Sequence, residues 1–412
     1  MGRPRVKKAK TLRQGNNKSG LPDATVSEIP VTRKYNPSLP PEIVAMIVGD
    51  VVDEFDEGQE SEEARQLCIL ARSSRQLQAE AERRLYQSVE FMVGEINAQK
   101  LAAILRSRTA GYVRTLMIGN YGAVRRRGRT ASRAVSALPF SLMTGLRSLY
   151  LSIDHDIKLF ITTDLDPEVF LLLDRDLPPN ILRRFVCSLP LLPSFLQFLK
   201  RQTSIEFISS NFTFADTTAP DVVLSHATHP NLTEIQSLQL DRNVLSIMDH
   251  TRIQKLRIFG SFHLPQNWAS YAANLVRLDA MTWPMDLQTL SKVVRCSPQL
   301  QVLIFAILPG LEQEPAPLIF DLLGSLKKLK VCALVSVLTG QIPRAMLKGC
   351  YKCEALESFV FVTKIAGYEM ASKGIEPKTG VCDNDWIFAR YDDFDLLEWA
   401  LEQDDRITKI CD

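Results

Sequence analysis

Few side chains in this chain of 412 residues have the types and spacing that chemistry requires. Five histidines are present, and none belongs to a His-Glu-x-x-His zinc motif. His226 and His229 are spaced so that both could lie on one face of a helix and bind a metal. Pro230 follows them, however, and no acidic or cysteine partner is spaced nearby. We therefore predict a loop at this position.

Two further segments match known site motifs only in part. Residues Gly119 to Gly128 are glycine-rich but lack the Lys-Ser or Lys-Thr pair of a phosphate-binding loop. Cys350 and Cys353 form a Cys-x-x-Cys pair, which is half of a zinc site. No Gly-x-Ser-x-Gly nucleophile motif occurs. The sequence therefore predicts a non-catalytic protein without a metal or cofactor.

Composition is that of an ordinary globular protein, with 46% hydrophobic and 23% charged residues. No apolar run approaches the ~18 residues that a membrane helix needs, and the N-terminal residues lack the apolar core of a secretory signal. The eight cysteines lie mostly within apolar segments, as reduced and buried thiols do. These features predict a cytoplasmic or nuclear protein without membrane contact.

The charge is distributed unevenly along the chain. Residues 1–34 carry a net charge of +7, so the remaining residues sum to −5. The basic segment contains few large apolar side chains, and we predict a disordered tail over residues 1–35. Its run from Arg3 to Lys10 could be a nuclear-import signal or a weak phosphate-binding arm. A solvated tail without a specific partner is the alternative.

Three helices are predicted directly after this tail. The first begins in Leu39-Pro40-Pro41-Glu42-Ile43, because proline fits the first turn of a helix and apolar residues then recur on one face. The second covers Leu67 to Arg75, and the third lies within Ala79 to Val89. A unit of about fifty residues leaves much of its surface in solvent. Its excess of apolar side chains therefore indicates a docking partner.

The segment from Pro37 to Val89 resembles the F-box, in the form common in fungal F-box and leucine-rich-repeat proteins. The resemblance lies in the start at 39–43, in Leu-Cys-Ile-Leu-Ala-Arg-Ser-Ser-Arg at 67–75 and in Arg-Arg-Leu-Tyr-Gln-Ser-Val at 83–89. The link 49–63 is longer and more acidic than is usual in the family. The resemblance implies that residues 37–89 bind a Skp1-type linker of a cullin-RING ubiquitin ligase. The residues expected at or behind this interface are Leu39, Pro40, Pro41, Ile43, Ile47, Leu67, Leu70 and Leu85.

An apolar-x-x-apolar-x-apolar pattern recurs from about residue 110. Its copies begin at Val113, Leu146, Leu182, Ile235, Ile253, Leu275, Leu300, Leu326 and Leu356, and Ile205 with Phe207 offers an imperfect further copy. Several steps between copies fall in the range of leucine-rich repeats. Each copy predicts a short strand, with helices such as 287–294 and 317–323 between strands. We predict an α/β repeat solenoid over 110–365, with parallel strands on the concave side and helices on the convex side. An ordinary α/β domain with a parallel sheet is the alternative.

Basic residues recur among the strand positions that should face the concave side. They predict a surface for an acidic or phosphorylated segment of a target protein, whereas the alternative is an ordinary solvated sheet face. The predicted target-binding residues are Lys255, Arg257, Phe259, Arg277, Lys328 and Lys330.

The last segment, residues 366–412, mixes aromatic and acidic side chains. Because a repeat array needs a polar cap at its end, we predict that this segment caps the array and that residues 385–401 fold back over the last repeats. A helix packed only on the end of the array is the alternative.

Taken together, these features predict an adaptor that performs no chemistry itself. The helical module would bind the Skp1-type linker and its cullin complex, and the repeats would select a protein for ubiquitination. The alternatives are an interaction scaffold that has lost the linker and a nuclear protein that uses its basic tail on nucleic acid. We do not expect nucleic acid to be the main partner.

Overall fold

The computed structural model describes residues 39–53, 60–93, 97–120, 134–151, 168–187, 193–210, 224–260, 263–307, 316–336, 353–356, 358–365 and 368–371. The predicted basic tail 1–35 and the fold-back segment 385–401 lie outside these residues, as do Cys350 and most of the glycine-rich segment after Gly119.

Helices and strands alternate along most of the described chain. The α-helices are α1 (Pro41–Asp53), α2 (Glu60–Ser73), α3 (Arg75–Leu85), α4 (Ala98–Ile104), α5 (Glu168–Asp176), α6 (Pro193–Lys200), α7 (Arg242–His250), α8 (Trp268–Ala272), α9 (Leu287–Cys296) and α10 (Ala316–Leu323). The strands are β1 (Ser88–Val93), β2 (Thr115–Asn120), β3 (Ser148–Leu151), β4 (Arg184–Cys187), β5 (Phe207–Ser210), β6 (Glu234–Ser237), β7 (Lys255–Ile258), β8 (Arg277–Met285), β9 (Val302–Ile307), β10 (Val331–Ser336), β11 (Ser358–Ile365) and β12 (Tyr368–Ala371).

Side-chain caps fix where several helices begin. Asp241 accepts hydrogen bonds from the backbone N–H groups of Asn243 and Val244, both at 3.0 Å, at the start of α7. Asp286 accepts one from the N–H of Thr289 at 2.7 Å at the start of α9. The helices predicted over 287–294 and 317–323 are confirmed as α9 and α10.

Every strand of the sheet pairs with its neighbours in sequence. The order runs from β1 to β12 without an exchange, β1 to β11 are parallel, and β12 is antiparallel to β11. A doubly wound α/β domain would instead reverse its strand order at a switch point. The fold is therefore a mixed helix and strand structure with an open parallel sheet of 11 strands, and it is compatible with an α/β solenoid. The predicted alternation of parallel strands and helices is confirmed at this level.

One face of the sheet, here called the core face, packs against the helices. On β4, the ring centroid of Phe185 lies 5.5 Å from that of Phe195 and 5.4 Å from that of Phe198, both on α6. Leu149 and Leu151 on β3 belong to the same continuous core. Because side chains alternate along a strand, the residues between them lie on the opposite face, here called the second face.

The register of the sheet corrects three predicted repeat copies. Ile235 lies opposite Ile208 on β5 and Leu256 on β7, so the copy in β6 begins at Leu232 and not at Ile235. By the same criterion the middle apolar residue of the copy is Ile208 in β5 and Cys332 in β10. A shift by three residues turns each side chain to the other face. The sheet also begins at β1, before the predicted start of the array near residue 110.

A polar clip joins the turns that precede β4 and β5. The buried side chain of Gln202 accepts hydrogen bonds from the N–H groups of Ile181 (3.2 Å) and Leu182 (3.3 Å) and donates one to the carbonyl of Pro178 (2.9 Å). Asn180, in the left-handed region at φ 59°, accepts hydrogen bonds from the backbone N–H and the hydroxyl of Thr203. Successive repeats are thus tied together by side chains as well as by the sheet.

Candidate functional site

The first helix is apolar on two opposite sides. Val44 and Val48 are buried, and Val48 belongs to a small core, separate from the core of the sheet, that α1, α2 and α3 form together. Ile43 and Met46 are large apolar side chains that are 40% and 60% exposed. At about 100° per residue Ile43 and Met46 lie on the side of α1 opposite Val44 and Val48. Leu39, which is 45% exposed and lies two residues before the helix begins, extends this apolar stripe along the chain. A helix that is apolar all round needs cover on both sides, so this stripe is a candidate docking surface.

The structure divides the eight residues predicted for linker binding into two groups. Those that are exposed are Leu39, Pro40, Pro41 and Ile43, whereas those that are buried or half-buried are Ile47, Leu67, Leu70 and Leu85. Leu67, Leu70 and Leu85 form or pack against the small core of the module. Met46 and Ile69, which is 49% exposed, were not predicted. Met46 could have been found from its helical spacing to Leu39 and Ile43.

The helical module is joined firmly to the sheet. Leu85, the last residue of α3, packs against the small core, whereas the next residue, Tyr86, packs against the core of the sheet. Glu82 on α3 is buried, accepts a hydrogen bond from Gln78 at 2.9 Å and pairs with Arg108 across the joint. Burial also raises the pKa of the Tyr86 hydroxyl. The orientation of the module relative to the sheet is therefore fixed by packing and by an ion pair.

Arginines predicted to form an open basic surface are buried and paired on the second face. Arg257 is 4% exposed, and its Nη2 lies 3.0 Å from Oε1 of Glu234 without hydrogen-bond geometry. Arg277 is fully buried, and its Nη2 lies 3.8 Å from Oδ2 of Asp279. The prediction of an open basic surface is corrected here for these two arginines. Because the predicted copy in β6 began three residues too late, Glu234 was not assigned to the second face, where it lies beside Arg257.

The remaining predicted target-binding residues are not gathered at one place. Lys255 is half-buried and lies opposite Arg277 in the sheet register. Phe259 follows β7, and its N–H donates to the carbonyl of Ser237. Lys328 and Lys330 lie before β10, three strands from β7, and Lys328 is bonded to Gln299. The six residues therefore do not form a single surface.

Further along the sheet the second face becomes apolar. On β9 and β10 the second-face residues Val302, Ile304, Val331 and Ala333 are all buried, although none belongs to the core against the helices. The accessible part of the second face therefore lies towards β3 and β4, where Ser148 and Tyr150 are half-buried and Arg184 is exposed.

That accessible part contains a cleft of about 320 Å³. Its walls come from two adjacent rows at the amino ends of β3 to β7: Arg147, Arg183, Glu206 and Thr233 before the strands, and Ser148, Arg184, Phe207, Glu234 and Lys255 at their first positions. Arg147, Arg183 and Arg184 are exposed, and they were not among the predicted site residues. Their recurrence directly before or at the start of consecutive strands was the available signal.

The candidate metal ligands have structural partners. His229 is fully buried, with Nε2 3.1 Å from the carbonyl of Leu199 and Nδ1 3.0 Å from Oγ1 of Thr228. Burial lowers the pKa of this imidazole, against the opposing effect of its hydrogen bond to Leu199. His226 is exposed in the turn of the predicted loop, which is confirmed over 224–233. Within the described ranges, no three His, Cys, Asp or Glu side chains cluster as metal ligands would.

Comparisons with known proteins gave no match, either to a family model or to a curated sequence. In the part of the chain that the structure describes, none of the helices combines the length and apolar character needed to cross a membrane.

Proposed function

We propose that this chain is a non-catalytic substrate-recognition adaptor of a Skp1–cullin–F-box type ubiquitin ligase. In this proposal α1 to α3 bind the Skp1-type linker, and the strand and helix array, which would be an irregular leucine-rich-repeat array, binds the target. The observation that carries the proposal is the apolar stripe of Leu39, Ile43 and Met46 on the side of α1 that faces away from the module's own core. Such a stripe gives a partner several adjacent anchor side chains.

The fixed joint between module and sheet supports the same proposal. An adaptor contributes to ligation by holding a target lysine near a ubiquitin-loaded enzyme, which requires a defined distance between its two binding surfaces. The packing of Tyr86 against the core of the sheet supplies that rigidity, together with the ion pair between buried Glu82 and the exposed side chain of Arg108. Among the described cysteines, Cys68 and Cys296 are free thiols, which agrees with the reducing cytoplasm or nucleus where the adaptor would act.

The proposal is tested by changing the apolar stripe in the full chain. In the double variant Ile43→Glu/Met46→Glu both substitutions fall at exposed helical positions, where glutamate is a good helix former. Each anchor should contribute about 2 kcal/mol to binding, so co-expressed linker should no longer co-purify.

The matched control is Leu171→Glu/Leu318→Glu, since both leucines are 54% exposed on helices of the array. This control should keep the linker. Equal recovery of the linker with both double variants would contradict the proposal. If wild-type chain recovers other proteins but never the linker, the scaffold alternative is correct.

A further inference from the structure

The charges around the cleft of β3 to β7 leave an excess of positive charge. Its two carboxylates already lie beside guanidinium groups, because Arg183 donates to Glu206 at 2.7 Å and Arg257 lies 3.0 Å from Glu234. Arg147 and Arg184 then add two exposed positive charges to the walls. Among the described residues that line the cleft, no carboxylate lies within ion-pair distance of either arginine, so an entering anion meets both charges.

Arg184 has the geometry of an anion-binding side chain. Its guanidinium carbon lies over the ring of Phe207, 4.6 Å from the ring centroid, which is within the range of a cation–π contact. Such a contact holds the guanidinium in place without using all five of its N–H groups. Within the described part of the chain, no hydrogen bond or ion pair uses those N–H groups. Two parallel N–H groups match two oxygens of a phosphate or carboxylate.

Arg147 directly precedes β3, the strand next to β4, and a hydrogen bond fixes the position of its side chain. Its Nη1 donates to the carbonyl of Ile181 at 3.1 Å, which fixes the guanidinium beside the turn that leads into β4. Ser148, the residue after Arg147, lies opposite Arg184 in the sheet register, and adjacent strands are about 4.8 Å apart. Since Arg147 and Arg184 also line the same cleft, both can contact one anionic group. Lys255, three strands beyond Arg184, lies about 14 Å away and would meet another part of the same ligand.

The surroundings favour a peptide over a nucleic acid. Nucleic acid binds through a series of phosphate contacts along a continuous basic surface. This cleft is small, and the carboxylates of Glu206 and Glu234 lie on its walls between Arg184 and Lys255. A ligand with one concentrated negative charge fits this arrangement better than a polyanion does.

We propose that the cleft binds a phosphorylated side chain in an extended peptide segment, with Arg184 and Arg147 contacting the phosphoryl group and Phe207 supporting Arg184. That this segment belongs to a protein selected for ubiquitination rests on the proposed function, whereas the binding itself does not.

The test uses the full chain without any linker protein. The probe is N-acetyl-O-phosphoserine methylamide, titrated to about 20 mM and followed by phosphorus NMR, since a single anchored group should bind in the millimolar range. We expect saturable binding by wild-type protein, no binding of the unphosphorylated serine compound, and at least a tenfold weaker affinity in Arg184→Gln and in Arg147→Gln. The matched control Arg295→Gln changes an exposed arginine at the end of α9 and should bind as wild type does.

Several results would overturn the inference. They are equal affinity in Arg184→Gln and wild-type protein, equal affinity for inorganic phosphate and the phosphoserine probe, or tighter binding of random duplex DNA that the same variants abolish. Circular dichroism of each variant excludes loss of fold, and Arg184→Lys, which keeps the charge without the planar fork, should bind with intermediate affinity. Because no linker is present, failure here leaves the linker experiment unaffected, and failure of the linker experiment leaves this one unaffected.

Discussion

The buried pair of Arg257 and Glu234 gives a quantitative prediction. The side chains are 5% and 12% exposed, and the charged atoms lie 3.0 Å apart on neighbouring strands. Arg257→Met leaves the Glu234 carboxylate buried beside an apolar group. Breaking a buried pair from one side costs about 3–5 kcal/mol. We expect the low end, about 3 kcal/mol, because the contact lacks hydrogen-bond geometry and Lys255 lies opposite Glu234 in the sheet register.

Removing both charges should restore most of the lost stability. In Glu234→Gln/Arg257→Met no charge is left unbalanced, so the free energy of unfolding should lie within about 1 kcal/mol of the wild-type value. The assay is urea unfolding at neutral pH, followed by circular dichroism and compared at an unchanged denaturant slope. Lys255→Met, at the half-buried position next to the pair, is the control and should cost less than Arg257→Met. The single variant Glu234→Gln completes the comparison. If the double variant loses as much stability as Arg257→Met and Glu234→Gln lose together, the reasoning is refuted, because the two side chains then do not interact.

Three further predictions concern stability. Gln202→Leu should lower the free energy of unfolding by about 2–4 kcal/mol in the same urea assay, since the buried N–H of Leu182, the part-buried N–H of Ile181 and the carbonyl of Pro178 lose their partner. A loss below about 1 kcal/mol would contradict a stabilising role for these hydrogen bonds. The pKa of His229 is lowered by burial from its ordinary 6.5, so its contribution to stability is complete above that pH and is lost as the pH falls and the unfolded chain gains the proton first. Between about pH 7.5 and about pH 5.5, the free energy of unfolding of His229→Gln should therefore fall by less than that of wild-type protein. An identical pH profile of the two proteins would refute this. Gly260→Ala should destabilise the turn after β7, because the added Cβ would lie 2.2 Å from the carbonyl oxygen of Leu238, and an unchanged melting temperature would contradict it.

The repeat pattern predicted the parallel sheet but placed some strands wrongly. In β3 the copy beginning at Leu146 matches the structure, with Leu149 and Leu151 on the core face. In β6 two overlapping copies fit the sequence, one from Leu232 and one from Ile235, and a serine at the third apolar position weakened the correct one. Only pairing with the flanking strands decides between them, because register is set by contacts between strands that are distant in sequence.

The same limitation shaped the prediction of the basic surface. Shifting one copy by three residues moved Glu234 out of the predicted face, so Arg257 was predicted to lie in the open without its partner. In β10 the shift brought Lys328 and Lys330 into a strand that begins only at Val331. The cleft was missed for the complementary reason, since Arg147 and Arg183 precede their strands and alternation along a strand does not include them.

The helical module was easier to predict because its signals are local. Proline at the first turn and the apolar spacing after it place α1 where the structure has it. Which apolar residues are internal depends on how three helices pack, so Leu67, Leu70 and Leu85 could not be separated from Leu39 and Ile43 by sequence alone.

The most direct test of the adaptor proposal is binding of the purified full chain to a purified Skp1-type linker. Isothermal titration calorimetry should give a complex of one chain with one linker and a negative heat-capacity change, because the apolar stripe of Leu39, Ile43 and Met46 is removed from water on binding. Hydrogen exchange on the same complex should show protection in α1 and little change in β3 to β10. Absence of a complex at about 100 μM of each protein, or protection located in the array and not in α1, would contradict the adaptor proposal.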